Sequence, residues 1–262
     1  MSPAERLAGV FAADRTAVMP FLVCGYPDPE TFVELAVAAA QNGADVLEVG
    51  IPFSDPIMDG PVIAAATHEV LSRGTSVDQA LGLLKEAIAE SGLPTVAMTY
   101  YNLPFRRGLE RFADELIDAG AVGAILPDLS VEDADPWLEQ TRERDLASIF
   151  IAAQTSPDER LASIAKVTTG FIYAATLLGV TGVRETLSGG VGDLIARIRA
   201  TTDTPVAAGI GVSTPQQAAE AAELADGVIV GSAITRLISD SDRPVEAVGR
   251  FVSELRAAVD RS

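Results

Sequence analysis

Eight short runs rich in Val, Ile and Ala recur along the chain: Ala17–Val23, Asp45–Val49, Thr95–Thr99, Val122–Leu126, Ser148–Ala152, Phe171–Ala175, Pro205–Ala208 and Gly227–Val230. Several are apolar at successive positions, the pattern of strands covered on both faces. The stretches between them follow the helical period, as in Leu109, Phe112, Leu116 and Ile117, a stripe that Gly120 ends. Ser156-Pro157-Asp158-Glu159 and Thr214-Pro215-Gln216-Gln217 each place a hydroxyl, a proline and a Glu or Gln where a capping box needs them. Asp28-Pro29 opens another helix, and Ser2-Pro3-Ala4-Glu5 opens an additional one before the first strand, placed to plug a barrel floor. Asn42-Gly43 and Ala119-Gly120 both lead straight into strands, the αβ turn of a repeated unit. Strands covered twice and joined by helical crossovers require a parallel sheet. Eight such units, with no break in composition over residues 1–262, predict a single-domain α/β chain folded as a (β/α)8 TIM barrel with an additional N-terminal helix. An open, doubly wound sheet is the alternative, weakened because Cys24-Gly25-Tyr26-Pro27 stands where a dinucleotide-binding glycine motif would follow the first strand.

Composition narrows the chemistry. The 262 residues carry a formal charge of −18 and are 48% hydrophobic, so the chain can bury a large core and repels nucleic acid and anionic lipid. Cys24 and His68 are the only residues of their types, which argues against disulfides, Cys/His metal cages and a Cys–His dyad. Lys85 and Lys166, the only lysines, fall in helical stretches, so a Schiff-base lysine on a barrel strand is not expected. The early charges Glu5 and Arg6 leave no apolar signal segment, and the longest uncharged stretch, Val167–Val183, is broken by threonines and glycines, so a cytoplasmic location is expected. Carboxylates, hydroxyls and backbone groups remain as the chemistry.

Barrel enzymes place that chemistry at the C-terminal ends of their strands. Glu48 lies within the apolar Val46-Leu47-Glu48-Val49-Gly50, where burial costs several kcal/mol unless the acid is paired or raised in pKa for use. Asp59 closes the proline-stiffened loop that follows, although an Asp beside Gly also suits an ordinary turn. Ala208-Gly209-Ile210-Gly211 and Gly231-Ser232-Ala233-Ile234 suit a phosphate cradle of backbone N–H groups and a short helix N-terminus. Leu178–Arg184 has the small residues of a lid.

Taken in order, these motifs resemble the tryptophan synthase alpha subunit family over nearly the whole chain. The most specific match is Glu48-Val49-Gly50-Ile51-Pro52-Phe53-Ser54-Asp55-Pro56 with Asp59-Gly60-Pro61. Gly179-Val180-Thr181-Gly182, Gly231-Ser232-Ala233-Ile234, Pro20-Phe21 and Tyr100-Tyr101-Asn102 add to it. The resemblance implies retro-aldol cleavage of indole-3-glycerol phosphate to indole and glyceraldehyde 3-phosphate, without metal, lysine or a cofactor in this chain. It implies Glu48 as the acid and base, Asp59 as acceptor of the indole N–H, and Tyr173 beside the glutamate. Phe21 and Tyr100 would wall the indole pocket, and Thr181 would bond to Asp59. Gly182, Gly211, Gly231 and Ser232 would hold phosphate. Asp55 and Pro56 would touch a beta subunit carrying pyridoxal phosphate in an αββα complex. A stand-alone lyase and a catalytically silent activating subunit are the alternatives. Ala64, Leu177 and Ile210 depart from the family's common glutamine, arginine and aromatic residue at those places, while both carboxylates are retained.

Overall fold

The structure is a computed structural model of the full chain, described here for residues 1–175 and 190–261. One parallel sheet carries β1 (Ala17–Val23), β2 (Leu47–Gly50), β3 (Thr95–Met98), β4 (Gly123–Ile125), β5 (Ala147–Ile149), β6 (Ile151–Ala153), β7 (Ile172–Ala175), β8 (Val206–Gly209) and β9 (Gly227–Val230). The pairing order is β5-β4-β3-β2-β1-β9-β8-β7-β6. Only Phe150 separates β5 from β6, so the two ends of that order are halves of one strand and the sheet closes on itself as the expected TIM barrel. The fifth run is thus an interrupted strand. The ladder continues across the break, with the Tyr173 N–H donating to the Phe150 carbonyl at 3.0 Å.

Helices α2 (Pro29–Gln41), α3 (Pro61–Ser72), α4 (Val77–Ser91), α5 (Asn102–Arg107), α6 (Leu109–Ala119), α7 (Asp135–Glu143), α8 (Asp158–Val167), α9 (Gly190–Arg199), α10 (Pro215–Ala222), α11 (Ser232–Asp240) and α12 (Pro244–Val259) follow the strands, with α1 (Pro3–Phe11) before them. Asp28 caps α2 as expected by accepting from the Thr31 N–H, and Ser2 with Glu5 closes a complete capping box on α1. Two caps differ from expectation. Pro157 is the N-cap of α8, while the Ser156 hydroxyl accepts from the Ala153 N–H instead. At α10 only half the box forms: Thr214 accepts from the Gln217 N–H, but the Gln217 side chain turns to Ser213. Another start also differs. Asp45 precedes β2, and its carboxylate accepts from the Val18 N–H and pairs with Arg256.

One end of the barrel interior is filled by Met19, Val46, Val96, Val122, Ile149, Phe171, Ala207 and Ile229, against which Leu7 of α1 is completely buried. Phe11 adds a ring contact with Phe171 at 5.5 Å. A β-carbon on Gly170 would fall 2.7 Å from Leu7, so the bare glycine lets α1 seat. Burial of a leucine contributes about 2 kcal/mol. The helix therefore closes the floor, as its position ahead of the first strand suggested, and leaves the opposite mouth for chemistry.

Candidate active site

Strand alternation carries the floor pattern upward. Residues two apart share a face of a strand, so above Val46, Met19, Phe171 and Ala207 stand Glu48, Phe21, Tyr173 and Gly209. Phe21 and Glu48 are register partners across β1 and β2. The Phe21 ring fills the space above Gly50, where a β-carbon would lie 2.6 Å from its Cζ.

Glu48 is 1% exposed, and its Oε2 has no hydrogen-bond partner among the described residues. Burial, with the nearby Asp59 charge adding to it, pushes the Glu48 carboxyl up to about 8. It is therefore largely protonated at neutral pH. Burial likewise raises the Tyr173 phenol well above its usual range, with the charges of Glu48 and Asp59 adding to the effect. The three groups thus share one field.

Asp59 is half-buried at the end of the second loop. Its carboxyl is raised by burial, and the hydrogen bond from Tyr100 opposes that rise. The Tyr100 hydroxyl donates to Asp59 Oδ1 at 3.2 Å and accepts from the Met58 N–H at 2.8 Å. Its ring stacks on Phe53 with centroids 5.2 Å apart. Tyr100 is itself 4% exposed. Asp55 is exposed at the loop's turn, with its carboxylate accepting from the Ser54 hydroxyl, and Pro56 is half-buried.

On the facing side, Gly211 adopts φ +73°, a conformation that favours glycine. Gly231 is the N-cap of α11 and brings no side chain to its opening amides, leaving Ser232 as the first helical residue. Two glycine-flanked backbone segments therefore offer N–H groups and a helix dipole to an anion. Thr181, Gly182 and the Leu178–Arg184 lid lie outside the described residues. Of the three departures, Ala64 is half-buried in the first turn of α3, Ile210 is buried after β8, and Leu177 also lies outside. Among the described residues no group of three or more His, Cys, Asp or Glu side chains gathers to hold a metal ion. Cys24 donates to the Ala80 carbonyl at 3.3 Å, and burial pushes its thiol up to about 12, which leaves no thiolate for nucleophilic chemistry.

Residues 7–260 match the family model described as Tryptophan synthase alpha chain. The chain belongs to that family. The tryptophan synthase alpha chain of Streptomyces coelicolor is 45% identical over 245 residues, covering 94% of this chain and 90% of that protein. That of Mycobacterium marinum is 42% identical, covering 98% and 95%. Among solved structures, an open form of the M. tuberculosis tryptophan synthase superposes with a TM-score of 0.89 at 37% identity over 99% of both chains. The alpha subunit from Legionella pneumophila gives 0.90 at 32% identity over 100% of both. Membership assigns the chain to tryptophan biosynthesis as a lyase subunit. Among the described residues no helix is long and apolar enough to cross a membrane.

Sequence reasoning missed four features. Gly209 reads as part of a phosphate cradle and Gly50 as part of the second-loop motif, but the rings of Tyr173 and Phe21 packed over them, which leave no room for a β-carbon, are not legible in the sequence. Ile57 and Met58, 78% and 51% exposed, put apolar surface on the second loop beside Asp55; two consecutive apolar residues in a proline-rich loop were a legible signal for this. The tie from Tyr100 to Asp59 had no signal in the sequence, since the two lie 41 residues apart. A cavity of about 560 Å³ opens beside Met58, lined by Asp128, Phe150, Ile151 and Arg160 among others.

Proposed function

We propose that this chain cleaves indole-3-glycerol phosphate to indole and glyceraldehyde 3-phosphate, with Glu48 as both acid and base. The observation that carries the reading is the buried Glu48 carboxyl, without a hydrogen-bond partner at Oε2 among the described residues and raised to about 8, beside Asp59 and Tyr173. In its neutral form Glu48 donates a proton to indole C3. The ring nitrogen then bears developing positive charge, and Asp59 accepts the N–H hydrogen bond and stabilises that charge. The glutamate, now a carboxylate, takes the proton from the side-chain hydroxyl next to the breaking bond. The C–C bond breaks, its electron pair returns to the indole ring, and the former hydroxyl carbon becomes the aldehyde of glyceraldehyde 3-phosphate. Glu48 ends protonated, as it began. No step asks for a metal, a Schiff-base lysine or a cofactor held by this chain.

Tyr173 lines the site beside Glu48, and Phe21 and Tyr100 wall the indole. The amides of Gly211, Gly231 and Ser232 hold phosphate, and Gly182 would add to them while Thr181 bonds to Asp59. A beta subunit, with its own pyridoxal phosphate, consumes the indole in an αββα assembly, and the second loop at Asp55, Pro56, Ile57 and Met58 meets it. The exposed apolar pair at the loop tip supports that contact, as does the likeness to a Pyrococcus furiosus tryptophan synthase complex, at 34% identity and a TM-score of 0.84. The cytoplasm, where this biosynthesis runs, is the proposed location.

The test is indole release from indole-3-glycerol phosphate by the wild-type chain and by Glu48→Gln. The reading expects release from the first and none from the second. No release from the wild type, or full release from the variant, overturns it.

A further inference from the structure

Tyr100 touches the second loop at three places spread along it. Its ring stacks on Phe53 near the start, its hydroxyl accepts from the Met58 N–H at the tip, and the same hydroxyl donates to Asp59 at the end. Phe53 is half-buried and Met58 half-exposed, so one buried side chain, anchored just beyond β3, spans the loop from its rooted end to its solvent-facing tip. A side chain that only lined an apolar pocket would use its ring and leave its hydroxyl to water. Here the hydroxyl spends its one proton on Asp59 and accepts a backbone N–H in return.

We infer that Tyr100 is a positioning residue whose hydroxyl, rather than its ring alone, orients Asp59 and ties that carboxylate to the backbone at the exposed tip of the loop. The inference rests on the proposed role of Asp59 in cleavage. Two consequences follow from the geometry. The bond from Tyr100 holds Asp59 as an acceptor at Oδ1, and among the described residues no side chain takes its other oxygen. Any displacement of the tip, which carries the apolar Ile57 and Met58, is transmitted through the Met58 amide to the hydroxyl that holds Asp59. The tip is therefore joined to Asp59 through a single side chain.

Ionisation of Asp59 is set by a small group of neighbours. Among the described residues the titratable groups acting with it are Glu48, Tyr100 and Tyr173, and of these the Tyr100 hydrogen bond is the one that favours the carboxylate. Removing the hydroxyl therefore moves ionisation of Asp59 to higher pH.

The test is Tyr100→Phe, which keeps the ring and its stack on Phe53 while deleting both hydrogen bonds. If Tyr100 is a positioning residue, kcat falls about tenfold or more with KM little changed, because the lost support acts on charge that develops in the transition state. The acid limb of the kcat profile moves up by about half a pH unit or more. Hydrogen exchange at the Met58 amide, measured on the isolated chain, accelerates. A Tyr100→Phe protein with wild-type kcat and an unmoved acid limb overturns the inference and leaves Tyr100 as a wall. Unchanged Met58 exchange overturns the tie to the tip. If the wild type itself releases no indole, the proposed function fails, and Met58 exchange still decides whether the hydroxyl holds the loop.

Discussion

The ring of Tyr173 occupies the space where any side chain at position 209 would have to begin. A β-carbon on Gly209 would fall 2.2 Å from Tyr173 Cε1 and 2.4 Å from its phenolic oxygen, distances at which one of the two must move. Gly209 is in strand β8 and has no positive φ, so the glycine is there for the room it leaves and not for its backbone. Because Tyr173 shares its surroundings with Glu48 and Asp59, a change at 209 reaches the acid without touching it.

Gly209→Ala therefore lowers turnover by about tenfold or more by displacing Tyr173, an overpacking cost of about 1–3 kcal/mol. The same substitution in a Tyr173→Ala background, where the ring is gone, costs much less. A double-mutant cycle on kcat/KM checks this, and additive losses would show that Gly209 acts by another route.

Glu48 gives a pH signature in activity and in stability. Free-enzyme kcat/KM declines as pH rises past about 8, where the buried acid loses the proton it must donate. For stability, the carboxyl is neutral in both folded and unfolded chains below its ordinary value of 4.5. Above that the unfolded chain ionises first, so the folded state loses ground until about pH 8. Glu48→Gln cannot ionise, and its stability relative to wild type should increase across that window by a few kcal/mol. Urea unfolding of both proteins at a series of pH values measures it, and a flat difference would mean that Glu48 is already charged in the fold.

The anion site depends on backbone room. A β-carbon on Gly231 would meet Ile63 and Phe21 at 3.5 Å, an ordinary contact, so Gly231→Ala folds normally. Gly231→Val places bulk over the opening amides of α11 and raises KM for the phosphorylated substrate far more than Lys166→Ala does. Binding of glycerol phosphate to each variant is the check, with equal losses pointing to a side-chain cation instead.

Far from the site, Asp45 is almost enclosed with Arg256, at 7% and 10% side-chain exposure and a 2.9 Å ion pair, and it also accepts from the Val18 N–H at 2.8 Å. Asp45→Ala removes one of the two carboxylates paired with Arg256, Asp260 remaining, and leaves the Val18 N–H without its acceptor. It should cost about 1–3 kcal/mol in urea unfolding, with activity of the folded fraction retained. A loss under about 1 kcal/mol would mean that the pair is solvated.

The barrel was legible because its strands are apolar on both faces and its turns repeat, and the burial of Glu48 because it lies inside the apolar run Val46–Val49. What the sequence hid was set by packing across the barrel. The break at Phe150 leaves no mark in a continuous apolar run. Ser156 carries the right residues for a cap, but its hydroxyl finds the Ala153 amide closer to hand. Asp45 reads as the start of a strand until Arg256, 211 residues away, is folded against it. The ring over Gly209 and the bond from Tyr100 to Asp59 likewise come from residues far away along the chain.

The most direct measurement is the release of indole and glyceraldehyde 3-phosphate from indole-3-glycerol phosphate by the purified chain, with and without a cognate beta subunit. The account predicts the two products in equal amounts, slowly from the chain alone and at least about tenfold faster with the partner, a change of about 1.4 kcal/mol in the barrier. No indole under either condition would contradict the cleavage itself, and a fast rate indifferent to the partner would contradict the coupling through the second loop.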